Sequence, residues 1–342
     1  MPPATAGGRA SARSVSPKHL NFLPWGWLRF CRPGTSWAVC STPTKATSRR
    51  LTMNAREIAQ INKNAGGSTL TRRGRESALK KIADDLRGRL NVQVKSFDQL
   101  KISHIEALAA SWRGSGLSVR TCQNNMAHLR TALREVGREK FSADPRISNA
   151  ALGIDKGSRA GTHRAPARDD AIRRIESMKD GHREAARLQL ELGLRAREAI
   201  QSYQSLATWS KELRSGQITV SKGTKGGKAR RVDLSDPEAL ARAQEAVRRA
   251  LEASAGGKKP LIDSISLEGA ARAYQREMAS VGFSGEQASH ALRCTFAQEQ
   301  YLRHQVQTGD RSEALRRLSL DLGHGDGRGI YCAQVYLRNA AE

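Results

Sequence analysis

Hydrophobic side chains recur every three or four residues through much of this chain, the spacing of helices that bury one face. In ESALKKIADDLRGRL the repeat runs through Leu79, Ile82, Leu86 and Leu90. In SFDQLKISHIEALAASW it runs through Leu100, Ile105, Leu108 and Trp112, with Ser103 and Glu106 spaced as a capping box. Gly114-Ser115-Gly116 breaks the pattern. Ser118 then stands where an N-cap belongs, ahead of TCQNNMAHLRTALREVG with its apolar face of Met126, Leu129 and Leu133.

Over 144–170 the periodicity lapses and Gly, Pro, Ser and Arg collect, the composition of a connection between domains. Beyond it the chain is again helix-dominated, with one β signal. GQITVS alternates like a strand, KGTKGGKARRVDLS returns as a second, and Gly226-Gly227 supplies the turn. The expected fold is mainly α with a small β-hairpin. Its organisation is expected to be a helical domain over 53–150, a linker over 151–165 and a second domain over 166–342. A length of 342 residues suits two domains.

Composition sharpens this picture. Lys and Arg number 58 against 33 Asp and Glu, a formal charge of +25, which points to a polyanionic partner, above all nucleic acid. Residues 1–52 hold eight basic and no acidic side chains, 53–165 hold 21 and 10, and 166–342 hold 29 and 23. The first stretch is low in complexity and is expected to be a disordered or non-native basic extension, with Met53 as the natural start. The surplus of +11 therefore falls on the helical domain and its linker, and Arg120, Arg130 and Arg134 accompany one helix of that domain as candidate phosphate contacts. No apolar run reaches the ~18 residues of a membrane span. The five cysteines form no CxxC pair and no metal-ligand spacing.

Four local patterns in the second half carry candidate chemistry. ELGLRAREAI sets Arg195 three residues before Glu198, a spacing that by itself usually means an ion pair. The hairpin holds Lys222, Lys225 and Lys228, of a kind that usually faces solvent. SHALRCTFA puts His290 and Arg293 on one helix face. LDLGHGDGRGIYCAQVYLR places His324 in a glycine-rich turn before Tyr331 and Tyr336. Each is unremarkable alone, but the order Arg, Lys, His-x-x-Arg, His, Tyr is specific. With GLRAREAI, KGTKGGKARRVDL, HALRCTFA, LGHG and QVYL it resembles the tyrosine recombinases, or phage integrase family, over about 165–342. A weaker likeness over 68–140 resembles that family's helical, SAM-like core-binding domain.

The resemblance implies an α+β catalytic domain that cuts and rejoins DNA through a 3′-phosphotyrosine, without metal, cofactor or ATP. Arg195 and Arg293 would clamp the non-bridging oxygens, since a guanidinium donates two parallel hydrogen bonds and stays charged. His324 would add a donor, His290 would manage protons, and Lys225, or else Lys222, would protonate the departing 5′-oxygen. Tyr336 would be the nucleophile, with Tyr331 as the alternative: the twelve residues from His324 to Tyr336 exceed the family's usual nine or so. Asp233 also stands where the family commonly has proline. The implied partners are double-stranded DNA at recombination sites, three further copies of the chain in a tetramer, and DNA-bending accessory proteins, with no membrane. The implied setting is the prokaryotic cytoplasm, in a mobile element. A non-catalytic DNA-binding relative and a type IB topoisomerase are the alternatives left open.

Overall fold

The computed structural model describes residues 55–158 and 160–338. The expectations for 1–52 therefore lie outside the described residues.

The first five helices are α1 (Ala55–Asn64), α2 (Thr69–Asp84), α3 (Ile102–Gly114), α4 (Val119–Glu135) and the short α5 (Glu139–Ser142). They bury one continuous core that contains all the predicted apolar positions except the half-buried Leu90. Ser118 caps α4 as its position suggests, its hydroxyl accepting from Thr121 N at 3.2 Å. The cap of α3 falls differently. The helix begins at Ile102, so Ser103 lies inside it, and the imidazole of His104 accepts from Lys101 N at 3.3 Å. Past Asp84 the backbone widens into a π turn over Asp85–Arg89. There the buried Asp85 accepts from Trp112 Nε1 at 2.9 Å and pairs with Arg89 at 3.2 Å, so its charge does not stand alone in the core. This core also takes in Ile147, Leu152 and Ile154. The first residues of the expected linker thus pack with the helical half.

A second core gathers α6 (Arg168–Glu176), α7 (Asp180–Glu191), α8 (Ala196–Ile200), α9 (Leu206–Glu212), α10 (Pro237–Ala253), α11 (Leu267–Ser280), α12 (His290–Thr308), α13 (Arg311–Asp321) and α14 (Gly329–Tyr336). Among them lies the expected hairpin, β1 (Gln217–Val220) antiparallel to β2 (Arg230–Asp233), with Ile218 opposite Val232. Both turn glycines take positive φ, 73° at Gly226 and 72° at Gly227, a conformation that costs glycine little. Arg168 ties three helices together. It reaches both oxygens of Glu191 on α7, at 2.5 and 2.6 Å, and both of Glu299 on α12, at 3.0 and 2.9 Å. A buried relay, Tyr274 Oη to Gln189 Oε1 at 2.9 Å and Gln189 Nε2 to Ser289 O at 2.7 Å, pins the backbone just ahead of His290.

The end of β2 is held by a polar knot. Asp233 N donates to Asp321 Oδ1 at 3.0 Å, Asp321 Oδ2 meets His304 Nε2 at 2.7 Å, and Gln300 Nε2 donates to Asp233 O at 2.7 Å. The departure from proline at position 233 has a physical counterpart here, because proline has no N–H to give Asp321.

Leu129 is fully buried in the first core. Leu129→Ala should cost about 2–5 kcal/mol, measured as a lowered urea midpoint with an unchanged m-value.

Candidate active site

Local geometry first sets the arginines. Gly193 turns the chain between α7 and α8 with φ of 60°, and a Cβ there would overlap the Phe296 ring. The turn aims its carbonyl at Arg293 Nη1 and at Arg230 Nη2, the latter 3.2 Å away. From the other side the end of α13 offers carbonyls with no helical partner. Asp321 O accepts from Arg230 Nε at 2.8 Å, and Leu322 O from Arg293 Nη2 at 2.5 Å and Arg195 Nη2 at 3.3 Å. The negative end of a helix dipole suits cations. Between them sits Glu198, fully buried, with Oε1 2.8 Å from both Arg195 Nη1 and Arg230 Nη1 and Oε2 3.9 Å from Arg293 Nη1. Arg195 N also donates to Glu198 Oε2 at 2.7 Å. Burial alone would raise the Glu198 pKa, but the charges of Arg230, Arg293 and Arg195 outweigh it and hold it below the usual carboxylate range.

The aromatic groups assemble beside this cluster. His290 opens α12 one turn before Arg293, and its ring lies 5.6 Å from that of Tyr336. His324 follows α13, held by His324 N to Ser319 O at 2.9 Å and Ser319 Oγ to Gly325 O at 2.7 Å. Positive φ at Gly323, Gly325 and Gly327 folds the glycine-rich stretch back so that α14 returns to the same place. Despite the twelve-residue spacing, His324 Nε2 and Tyr336 Oη are 3.0 Å apart. The Arg293 guanidinium stands 5.8 Å from the centre of the Tyr336 ring. Tyr336 is buried, and Tyr331 is half-buried with its ring 5.2 Å from that of His324.

An open cavity of about 730 Å³ leads to the cluster, lined by Arg195, Lys225, Lys228, Arg230, His324 and Tyr331 among others. Lys222 is exposed and does not line it. Six predicted residues, Arg195, Lys225, His290, Arg293, His324 and Tyr336, are thus joined by direct contact or by this cavity. Of the predicted phosphate contacts on α4, Arg120 and Arg134 are exposed. Arg130 is already engaged, donating to Ile147 O and Asn149 Oδ1 at 2.7 Å each. Sequence reasoning missed Arg230. Its signal was alternation: Arg230 and Val232 share the buried face of β2, and a charged residue on an inward strand position requires a buried partner.

Electrostatics agree with the geometry. Burial, then the charges of Arg293 and its neighbours, pushes His290 down to about 3. Burial and the charges of Arg293, Arg195 and Arg230 push His324 down to about 4. Both imidazoles are neutral at pH 7. Burial and the Arg293 charge lower Arg230 to about 9, which leaves it protonated. Tyr336 is raised by burial, and Arg293 offsets part of that rise. A surplus of positive charge, two neutral imidazoles and a phenol form a site built to receive a phosphate-like anion. Among the described residues, no cluster of His, Cys, Asp and Glu could hold a metal ion, and no helix is long and apolar enough to cross a membrane.

The fold is that of DNA-recombining enzymes of the integrase class. Residues 153–299 match the family described as Integrase, and residues 51–142 match Phage integrase, N-terminal. The chain belongs to the tyrosine recombinases of the phage integrase family. No curated protein matches it. Among solved structures it is similar to the Tn1549 transposon integrase in complex with transposon right end DNA. That match has 16% identity over 83% of this chain and 94% of that one, with a TM-score of 0.55. It is also similar to a lambda integrase tetramer bound to a Holliday junction, with 17% identity over 84% and 80% of the two chains and a TM-score of 0.52. At such identities the likeness is one of fold.

Two outcomes follow from the cluster. Glu198→Gln leaves Arg230 and Arg293 buried without their counter-charge, so a loss of about 3–5 kcal/mol is expected, read by chemical denaturation. Acid should also weaken the fold. Between about 6.5 and 4 the unfolded histidines bind protons that native His290 and His324 refuse, so stability falls as pH falls through that window. The melting temperature of a His290→Gln, His324→Gln double variant should decline less between pH 7 and 4 than that of the parent. An equal decline would separate the two histidines from acid sensitivity.

Proposed function

We propose that this chain is the integrase of a mobile element, a site-specific recombinase that cuts and rejoins duplex DNA through a 3′-phosphotyrosine. The observation that carries the reading is Tyr336 Oη 3.0 Å from His324 Nε2, beside the guanidinium cluster that Glu198 organises. In the forward step Tyr336 Oη bonds to the scissile phosphorus and the bond from phosphorus to the 5′-oxygen breaks. The phenol proton has a neutral imidazole acceptor in contact, His324, with His290 against the same ring. Arg195 and Arg293 balance charge on the non-bridging oxygens, and Lys225 supplies the proton to the departing 5′-oxygen. Rejoining reverses the step: a 5′-hydroxyl attacks phosphorus and displaces Tyr336, whose phenol pKa of ~10 makes it a workable leaving group. The phosphoester energy is kept in the protein–DNA bond, so ATP does not enter the scheme, and the guanidiniums take the charge-balancing role.

Duplex DNA as substrate is supported by the solved DNA complexes of the similar integrases and by the basic surplus of 53–165. The lambda integrase tetramer on a Holliday junction supports four copies acting on two sites. On this reading 53–150 grips the duplex with Arg120 and Arg134, Lys222 and Lys228 flank the cut, and 166–342 performs it. Arg130 is assigned instead to holding residues 147–149. DNA-bending proteins would help bring the sites together. One observation favours a second nucleophile: Tyr331 lines the open cavity, whereas Tyr336 is buried.

A nicked suicide duplex built from the ends of the element that encodes the chain separates the two. Tyr336→Phe should abolish covalent adduct and Tyr331→Phe should retain it; the reverse pattern would transfer the role to Tyr331. Arg195→Ala should slow adduct formation about 10²–10³-fold, the usual loss of one donor to a developing oxyanion.

A further inference from the structure

The segment joining the two cores is fastened to the tyrosine-bearing helix. Gly161 N donates to Gln334 O at 3.0 Å, and Arg338 Nη1 donates to Gly161 O at 2.9 Å. Gly161 is buried, and a Cβ on it would overlap the carbonyl of Val335. So close a meeting of two backbones leaves no room for a side chain. Two residues on, the His163 ring stands edge-on to His290 with centroids 5.1 Å apart, its Nδ1 3.3 Å from Glu286 O. Arg164 N donates to the same carbonyl at 2.8 Å. Residues 161–164 therefore hold the last turn of α14 at one end and the approach to α12 at the other. Those two elements carry Tyr336 and His290.

The helix needs such an anchor. It has only eight residues and is entered through a loop with three positive-φ glycines. Past Ala333, whose carbonyl accepts from Leu337 N, the carbonyls of its last turn lack helical partners. Gly161 satisfies the one at Gln334, and Gln298 Nε2 reaches the one at Tyr336 at 3.3 Å. From this juxtaposition we propose that Gly161 and His163 are positioning residues that register the Tyr336 hydroxyl against His290 and the arginine cluster, an assignment that rests on Tyr336 as the nucleophile. Docking of the segment between the cores then sets the aim of the tyrosine, and the DNA-gripping half is mechanically joined to the cutting step. Both backbone groups of Gly161 are engaged within the chain, so it has none left to offer DNA.

Two measurements on the full chain test this, one with DNA and one without. On the nicked duplex described above, Gly161→Ala and His163→Ala should bind within about twofold of the parent. Their single-turnover adduct rate at saturating protein should fall about 10–100-fold, the scale of a misplacement near 1 Å. His163→Phe, which keeps a ring against His290, should recover to within about threefold of the parent rate, as a positioning role predicts. In the absence of DNA, hydrogen exchange of the 329–336 amides should rise in Gly161→Ala while α4 and α10 stay unchanged. Full adduct rates in both alanine variants, a loss matched by weaker binding, or unchanged exchange in 329–336 would overturn the proposal. A parent chain that forms no adduct would instead overturn the nucleophile, while the exchange result still judges the anchoring.

Discussion

One buried carboxylate organises the candidate site. Glu198 has no exposed surface, and three guanidiniums from separate parts of the chain converge on it, those of Arg195, Arg230 and Arg293. A single negative charge cannot balance three positive ones, and in a low-dielectric interior the remainder is costly. The structure offsets that cost with dipoles instead of further charges. Three carbonyls, of Gly193, Asp321 and Leu322, accept from the same guanidiniums. Carbonyl dipoles lower the energy of a cation without neutralising it, so the site keeps its attraction for an anion. A second carboxylate in place of those carbonyls would hold the arginines as firmly and weaken that attraction.

The arrangement explains why the elements lie where they do. The turn at Gly193, the end of α13 and the inward face of β2 must meet at one point, and each contributes a group that cannot be moved alone. Gly193 cannot become a larger residue without displacing Phe296. Arg230 bridges Gly193 and Asp321 from a strand whose far end is held by the knot of Asp233, Asp321, Gln300 and His304. The hairpin that carries Lys225 is thereby referenced to the same carbonyls that orient the arginines. The turn thus presents Lys225 at the cavity from a strand held at both ends.

Much of this was legible in the sequence, and the remainder was hidden for identifiable reasons. Periodicity located the helical core because its spacing is local: Leu79, Ile82, Leu108, Trp112, Met126 and Leu129 all turn inward. The hairpin was equally visible, since alternation and a Gly-Gly turn are short-range signals. The cap of α3 was misplaced because Ser103 and Glu106 satisfy the spacing but the helix starts earlier, and a histidine imidazole can accept from a backbone N–H as a carboxylate does. Arg230 and the joining segment were missed because their partners are remote. Asp321 lies 91 residues beyond Arg230 and Arg338 lies 177 beyond Gly161. No local pattern announces such pairings. The excess of charge pointed to nucleic acid but carried no information about which cations cluster in space.

The proposed choice between the two tyrosines rests on position, which the sequence leaves open. Five residues apart on one helix, they point about 140° away from each other, and His324 lies against both rings. Tyr331 faces the cavity and is the more accessible. Tyr336 is buried, which raises its pKa and makes it the worse nucleophile by that measure. Yet Tyr336 alone combines contact with His324 and the Arg293 guanidinium over its ring, and a phenolate forming there meets the positive charge that burial would otherwise deny it. Tyr331, on the open side, has its ring against His324 but no guanidinium stacked over it among the described ring contacts. Preorganised charge stabilises an anion only at the atom it surrounds, and the proposal of Tyr336 over the more exposed Tyr331 rests on that geometry of the guanidiniums.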